Sequence, residues 1–278
     1  MKRLSALVIA CLLMSSVFVL TGCQKTNENT NASTNKKDKL VVAMELAYPP
    51  FETKDDAGNP TGVSVDFAKA IGEHLGKEVE IVDTAWDGLI PSLQTGKADL
   101  IISSMTITEA RKEMVDFSDP YANSLLAILS NKDSGITNID DLNQPGKKVA
   151  VKTGSTGHIY AQENLKNAEV IALADESACV TEVSQGKADG FLYDQLTIYR
   201  NNQSHPDTTS ATFIPFQNIE YWGVAMKKGN TELLNDINAF IKKYTSEGGF
   251  DKLTDKYLKE EKKAFEELGF QWFFDINP

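Results

Sequence analysis

The four residues Gly96-Lys97-Ala98-Asp99 recur ninety residues later as Gly186-Lys187-Ala188-Asp189. Each copy follows a stretch with amphipathic helical spacing, Trp86 to Thr95 and Glu176 to Gln185. Each precedes an apolar run, Leu100-Ile101-Ile102 and Gly190-Phe191-Leu192-Tyr193, that reads as a strand. A glycine directly after a helical stretch reads as a left-handed C-cap. A helix–glycine–strand unit used twice implies two similar α/β halves. Five residues past the first aspartate lies Ser104, and five past the second lies Asp194. Both fall where a strand leaves its sheet, and ligands of open α/β sheets bind just outside such strand ends. Two halves facing each other would place Ser104 and Asp194 on opposite walls of a cleft.

The remaining pattern is also α/β. Leu40 to Met44, Val79 to Val82, Lys148 to Lys152, Val170 to Leu173 and Tyr221 to Met226 read as strands. Ser64 to Leu75 carries Val65, Ala68, Ile71 and Leu75 on one helical side. Gly157 to Leu165 reads as a helix, and Asn230 to Leu258 as a long helical region broken at Gly248-Gly249.

The N-terminus reads Met1-Lys2-Arg3, then an apolar run from Leu4 to Leu20, then Thr21-Gly22-Cys23. A basic head, an apolar core and small residues before a cleavage point describe a secretory signal peptide. The Leu-x-Gly-Cys ending resembles a bacterial lipobox, which implies that Cys23 is the lipid-attachment site. The competing reading is an N-terminal membrane helix, whose 17 residues from Leu4 to Leu20 sit at the short end of the spanning range. The following residues, up to Lys39, are rich in Asn, Thr and Lys and read as a flexible tether. Roughly 240 residues remain, enough for one large or two moderate domains.

Cysteine and charge narrow the classes. Cys11 lies in the leader, so Cys179 alone is left in the body, where it reads as a small buried hydrophobe. The formal charge of −11 becomes −13 once Lys2 and Arg3 are removed, which argues against nucleic acid as a partner. His74, His158 and His205 lie far apart and show no metal-ligand spacing, so no metal and no cofactor are expected.

The chemistry concentrates in Ser103-Ser104-Met105-Thr106-Ile107-Thr108-Glu109-Ala110-Arg111. Hydroxyls and backbone donors follow an apolar strand, and one arginine sits about a turn into a short helix. A planar guanidinium among hydroxyls suits a carboxylate. The same residues also read as a capping box, Thr106-x-x-Glu109, with Arg111 solvated on the surface.

With Tyr48-Pro49-Pro50-Phe51-Glu52 and Trp86-Asp87-Gly88-Leu89-Ile90-Pro91-Ser92-Leu93, in this order and spacing, the segment resembles the polar amino-acid-binding proteins of bacterial ABC importers. These are family 3 extracellular solute-binding proteins, here of lipoprotein type. The resemblance covers about Leu40 to Tyr257. It implies a two-lobed periplasmic-binding-protein (Venus flytrap) fold of type II with two crossover hinge strands. The expected division is a signal peptide at 1–22, a tether at 23–38, a first lobe from 39–123 and 220–278, and a second lobe from 124–219. The tail from Lys259 is expected to dock on the first lobe through Phe265, Leu268, Phe270 and Trp272.

The resemblance also assigns a site. Arg111 takes the α-carboxylate of a free amino acid, and Asp194 its ammonium; Asp194 also reads as the N-cap of the Gln195 to Arg200 segment. Ser104, Met105 and Thr106 contribute to the two charged ends, and Ser155 and Thr156, opening a helix, favour the carboxylate. Tyr48 and Trp86 match aromatic walls, or else are ordinary core aromatics. Glu45 matches an acidic position that reaches the ligand side chain, and Lys152 a lysine of the glutamine-binding type. A Glu45–Lys152 pair would suit an uncharged amide, whereas Tyr193 stands at the glutamine type's histidine position and could stack on a guanidinium. Glutamine or another neutral polar amino acid ranks first, arginine or lysine second.

The implied protein is not an enzyme. It is a lipid-anchored, extracytoplasmic monomer that hands a polar amino acid to an ABC permease. No G-x-x-x-x-G-K-[ST] is present, so the ATPase must be another chain. One rival is an amino-acid sensing module for a membrane receptor. Another is a cyclohexadienyl-dehydratase-like enzyme on the same fold with Glu45 as acid, against which Asp194, an ammonium partner, argues.

Overall fold

A computed structural model describes residues 39–276. The leader, the tether and Cys23 lie outside the described residues. The two halves suggested by the echo are two five-stranded sheets built on one plan. In the first, the order is Glu78–Asp83, Lys39–Met44, Leu100–Ile101, Ala225–Lys227, Val115–Phe117. In the second, it is Glu169–Leu173, Lys148–Lys152, Gly190–Asp194, Leu126–Asn131, Thr209–Thr212. In each sheet the first three strands are parallel and the last two pair antiparallel.

Alternation along the strands gives each sheet two apolar faces. Leu40, Val42 and Met44 enter one core of the first lobe, while Ala43 and Ile101 enter the other with Leu89 and Leu93. In the second lobe Ala127, Leu129 and Phe191 face one core, and Ile128, Val149 and Leu192 the opposite one. Strands buried on both faces read as continuous apolar runs, which is why they stand out in the sequence. Cys179 is one of the buried residues of the second lobe. No helix among the described residues is long and apolar enough to cross a membrane.

The lobes are joined by Ala122–Ser124 running antiparallel to Glu220–Trp222, with Glu220 opposite Ser124 and Trp222 opposite Ala122. Tyr221 to Met226 is therefore not one strand. The chain leaves the crossover at Trp222, passes Gly223 and re-enters the first sheet at Ala225. A Cβ at Gly223 would meet Ile107 at 2.9 Å and Phe117 at 3.1 Å, so a side chain there would have to push both aside. Trp86 to Thr95 is likewise a 3-10 turn, Trp86–Gly88, followed by a helix, Leu89–Gln94.

The tail forms a helix, Lys259–Leu268, and then an aromatic strap. Phe265, Trp272 and Phe273 are buried, each contributing about 2 kcal/mol of apolar burial. Leu268, expected at the interface, is 46% exposed. Phe270 packs on Phe213, whose other contacts are in the second-lobe core, at 4.9 Å between ring centroids. The strap also grips the first crossover. The Asn123 backbone N–H donates to Phe273 O at 2.7 Å, and its side-chain amide donates to Trp272 O and Phe273 O at 2.8 and 3.0 Å.

Candidate ligand cleft

Each copy of the echo ends in the same local device. The Asp99 and Asp189 carboxylates accept from the backbone of the neighbouring strand, Val41 N at 2.9 Å and Lys148 N at 2.8 Å. The opposite, C-terminal ends of the two strands, at Ser103-Ser104 and Asp194, line a cavity of about 50 Å³. That volume is room for a little water.

On the first lobe, the strand end is followed by Ser103 and Ser104, and then by the four-residue helix Glu109–Lys112. Its cap is Thr108, which accepts from Arg111 N, so the capping box at Thr106 does not form. Arg111 is not solvated. It is 7% exposed and aims inward, donating to Thr106 O at 2.6 Å and to Gly154 O of the other lobe at 3.1 Å. Its guanidinium lies 5.2 Å from the Trp86 ring centre. Burial brings its pKa down to about 10, partly countered by the charge of Glu220. Among the described residues no carboxylate forms an ion pair with it.

Ser104 has φ 47, a strained left-handed conformation for a residue with a side chain. Glu52 braces it from behind. This buried carboxyl accepts from Ser104 Oγ at 3.0 Å, Ser64 Oγ at 2.6 Å and Ser103 Oγ at 3.4 Å. Burial pushes Glu52 up to about 8, against the serine hydrogen bonds.

On the second lobe, Asp194 caps the helix Gln195–Ser204, its Oδ1 accepting from Leu196 N at 2.9 Å and Thr197 N at 3.0 Å. Among the described residues its other oxygen, Oδ2, is buried with no hydrogen-bond partner, although the Tyr48 hydroxyl stands near enough to help hold its pKa down. Burial raises its pKa and the helix N–H groups oppose that rise. Ser155 caps the facing helix, Thr156–Asn164. Gly154 just before it has φ 75, and a Cβ there would meet Trp86 Nε1 at 3.1 Å. Glycine is required there for both reasons.

Glu45, Tyr48, Trp86, Ser104, Arg111, Ser155, Thr156 and Asp194 all line the cavity. Lys152 is paired with Glu45 across the lobes and sits 5.6 Å from the Trp86 ring centre. Tyr48 stacks on Phe51 and meets Tyr193 edge-on. Met105, expected at the site, does not line the cavity: its side chain turns away into the first-lobe core and its carbonyl accepts from Gly223 N at 3.2 Å. Thr106 lies beside the cavity, its hydroxyl 3.4 Å from Glu220. Glu220, Tyr193 and Trp222, with Ser103, Ser124 and Leu126, complete the lining. Sequence reasoning missed Glu220 as a site residue, although it begins a crossover strand.

Residues 40–260 match the family described as bacterial extracellular solute-binding proteins, family 3. The L-cystine-binding protein TcyJ of Escherichia coli K12 is 33% identical over 225 residues, which are 80% of this chain and 84% of TcyJ. An ancestral arginine-binding protein bound to arginine is 36% identical with a TM-score of 0.74, covering 80% of this chain and 99% of the other. The ancestral amino acid-binding protein AncCDT-1, described as a precursor of cyclohexadienyl dehydratase, is 39% identical with a TM-score of 0.73, over 80% and 96%. The chain belongs to the family 3 extracellular solute-binding proteins, with their two-lobed fold, and is a binding protein, not an enzyme.

Proposed function

We propose that this protein captures a free polar L-amino acid between its lobes and delivers it to an ABC permease, held outside the cytoplasm by a lipid on Cys23. One observation carries the reading. Among the described residues, a buried guanidinium without a carboxylate partner and a buried carboxylate oxygen without a cationic partner line one cavity from opposite lobes. Buried charges are costly unless paired, and the two ends of an amino acid supply both partners. A ligand that touches both lobes favours the closed state, and closure is a hinge at 121–124 and 218–222.

For the side chain we favour a neutral polar group such as the glutamine amide, because Glu45 and Lys152 neutralise each other. Arginine is the second reading, supported by the likeness to an arginine-bound protein and by Tyr193 in the wall. A cationic side chain would have to displace Lys152 from Glu45.

Thermal unfolding of the chain from Gln24 onward, unfolded and refolded to strip carried ligand, against the twenty amino acids tests this. A ligand at 100 times its Kd adds about 2.7 kcal/mol. A shift from one or a few polar amino acids, lost in Arg111→Ala, is the expected result. No shift from any of them would overturn it.

A further inference from the structure

Two threonine hydroxyls from different lobes converge on one carboxylate oxygen. Thr156 Oγ1 is 2.8 Å and Thr106 Oγ1 is 3.4 Å from Glu220 Oε2. Gln217 Nε2 donates to the other oxygen at 2.9 Å, so the carboxylate cannot swing away without losing that bond. An ionised carboxylate only accepts, so both hydroxyls must donate to it. A hydroxyl has one proton. Once that proton is committed to Glu220, each threonine oxygen offers an approaching ligand only lone pairs.

We propose that Glu220 is a positioning residue that makes the Thr106 and Thr156 hydroxyls obligatory acceptors, so that this end of the cleft demands a donor such as an ammonium. Arg111 and the helix N–H groups then serve the ligand's carboxylate, while Asp194 Oδ2 and the two threonines serve its amine. A carboxylic acid without the amine would face lone pairs on lone pairs and leave Asp194 unpaired. Glu220 acts through the threonines, without a direct ion pair to Arg111. The inference rests on the amino-acid reading of the same cleft and adds what sets the donor–acceptor polarity.

The test is titration calorimetry on the chain from Gln24 onward, which retains every described residue. The probes are L-arginine, L-glutamine, desamino-arginine and desamino-glutamine. The unaltered chain should prefer at least one amino acid over its desamino counterpart by about 100-fold or more, as sites with buried unpaired groups do. Glu220→Gln keeps the shape but presents an amide N–H₂ that can meet a threonine only by donating. It should cost the amino acid about tenfold or more while the desamino acid holds or gains, narrowing the ratio. Thr156→Val removes one hydroxyl, and its bond to Glu220, while keeping the Glu220 side chain itself, and should narrow the ratio in the same sense. It decides the matter if Glu220→Gln does not fold. Equal losses for both ligand types, with the ratio unchanged, would show a merely structural role and overturn the inference. If neither binds, the amino acid with the largest thermal shift and its desamino counterpart replace them; binding of none of the twenty would overturn the amino-acid reading itself, and this inference with it.

Discussion

The two lobes solve the same backbone problem identically and then part company. Gly96 and Gly186 both turn left-handed, with φ 71 and 68. Lys97 N and Ala98 N close onto Ser92 O as Lys187 N and Ala188 N close onto Glu182 O. Past the strand the similarity ends. The first lobe runs into an irregular segment whose hydroxyls, strained Ser104 and Arg111 face the cleft. The second runs straight into a helix whose N-cap is Asp194. One scaffold thus presents a cation on one wall and an anion on the other, and the difference lies in how the chain leaves the sheet.

The largest test of that contrast is ligand binding. Arg111→Ala and Asp194→Ala should each cost about 3 kcal/mol of binding, because each strands an opposite charge. Their effects on the fold should differ. Asp194→Ala also loses a helix cap, about 1 kcal/mol of stability, whereas Arg111→Ala removes a buried cation and should leave urea midpoints unchanged or higher.

Each lobe also holds one carboxyl whose pKa burial raises from 4.5 to about 8, Glu52 in the first and Glu176, near Asp194, in the second. The native protein keeps protons there that the unfolded chain releases, so stability should fall as pH rises from about 4.5 to about 8 and level off above. Glu52→Gln and Glu176→Gln should each flatten that slope in urea melts. A slope unchanged in both would disprove the assignment.

Smaller effects sharpen the comparison. Gly154→Ala should lose about 1–2 kcal/mol from its left-handed φ, read as a lowered Tm. Asp99→Ala and Asp189→Ala should lose about 1 kcal/mol each. The second should lose slightly more, since Asp189 also pairs with Lys147 at 2.9 Å. Clearly unequal losses beyond that would mean that the two turns are not equivalent.

The apolar parallel strands and their caps were legible because burial on both faces and glycine C-caps leave marks in the sequence. Leu126–Asn131 and Val115–Phe117 were not foreseen, because neither sits in a strand–helix repeat; one follows directly on the crossover and the other is three residues long. Asp194 was marked by its position at a strand end, and Arg111 by the hydroxyl-rich segment and short helix that follow one; both line the cavity. Glu220 was not marked. Its partners Thr106 and Thr156 lie 114 and 64 residues away, and no local pattern marks a carboxylate that matters through distant hydroxyls. Leu268 was misplaced because an apolar residue near a helix end was taken as buried, whereas Gly269 ends the helix and the strap turns inward only afterwards.

The tail changes the mechanics of the hinge. Two peptide strands cross between the lobes, and a pair of parallel tethers bends about its common line while also allowing twist. The strap at Trp272 and Phe273 touches both tethers, hydrogen-bonded to Asn123 of one crossover and packed on Trp222 of the other at 5.4 Å. With Phe270 resting on Phe213, it works as a third, non-covalent leaf. A joint with three leaves resists torsion more than one with two, so the opening proposed for ligand entry would be steered toward a single axis.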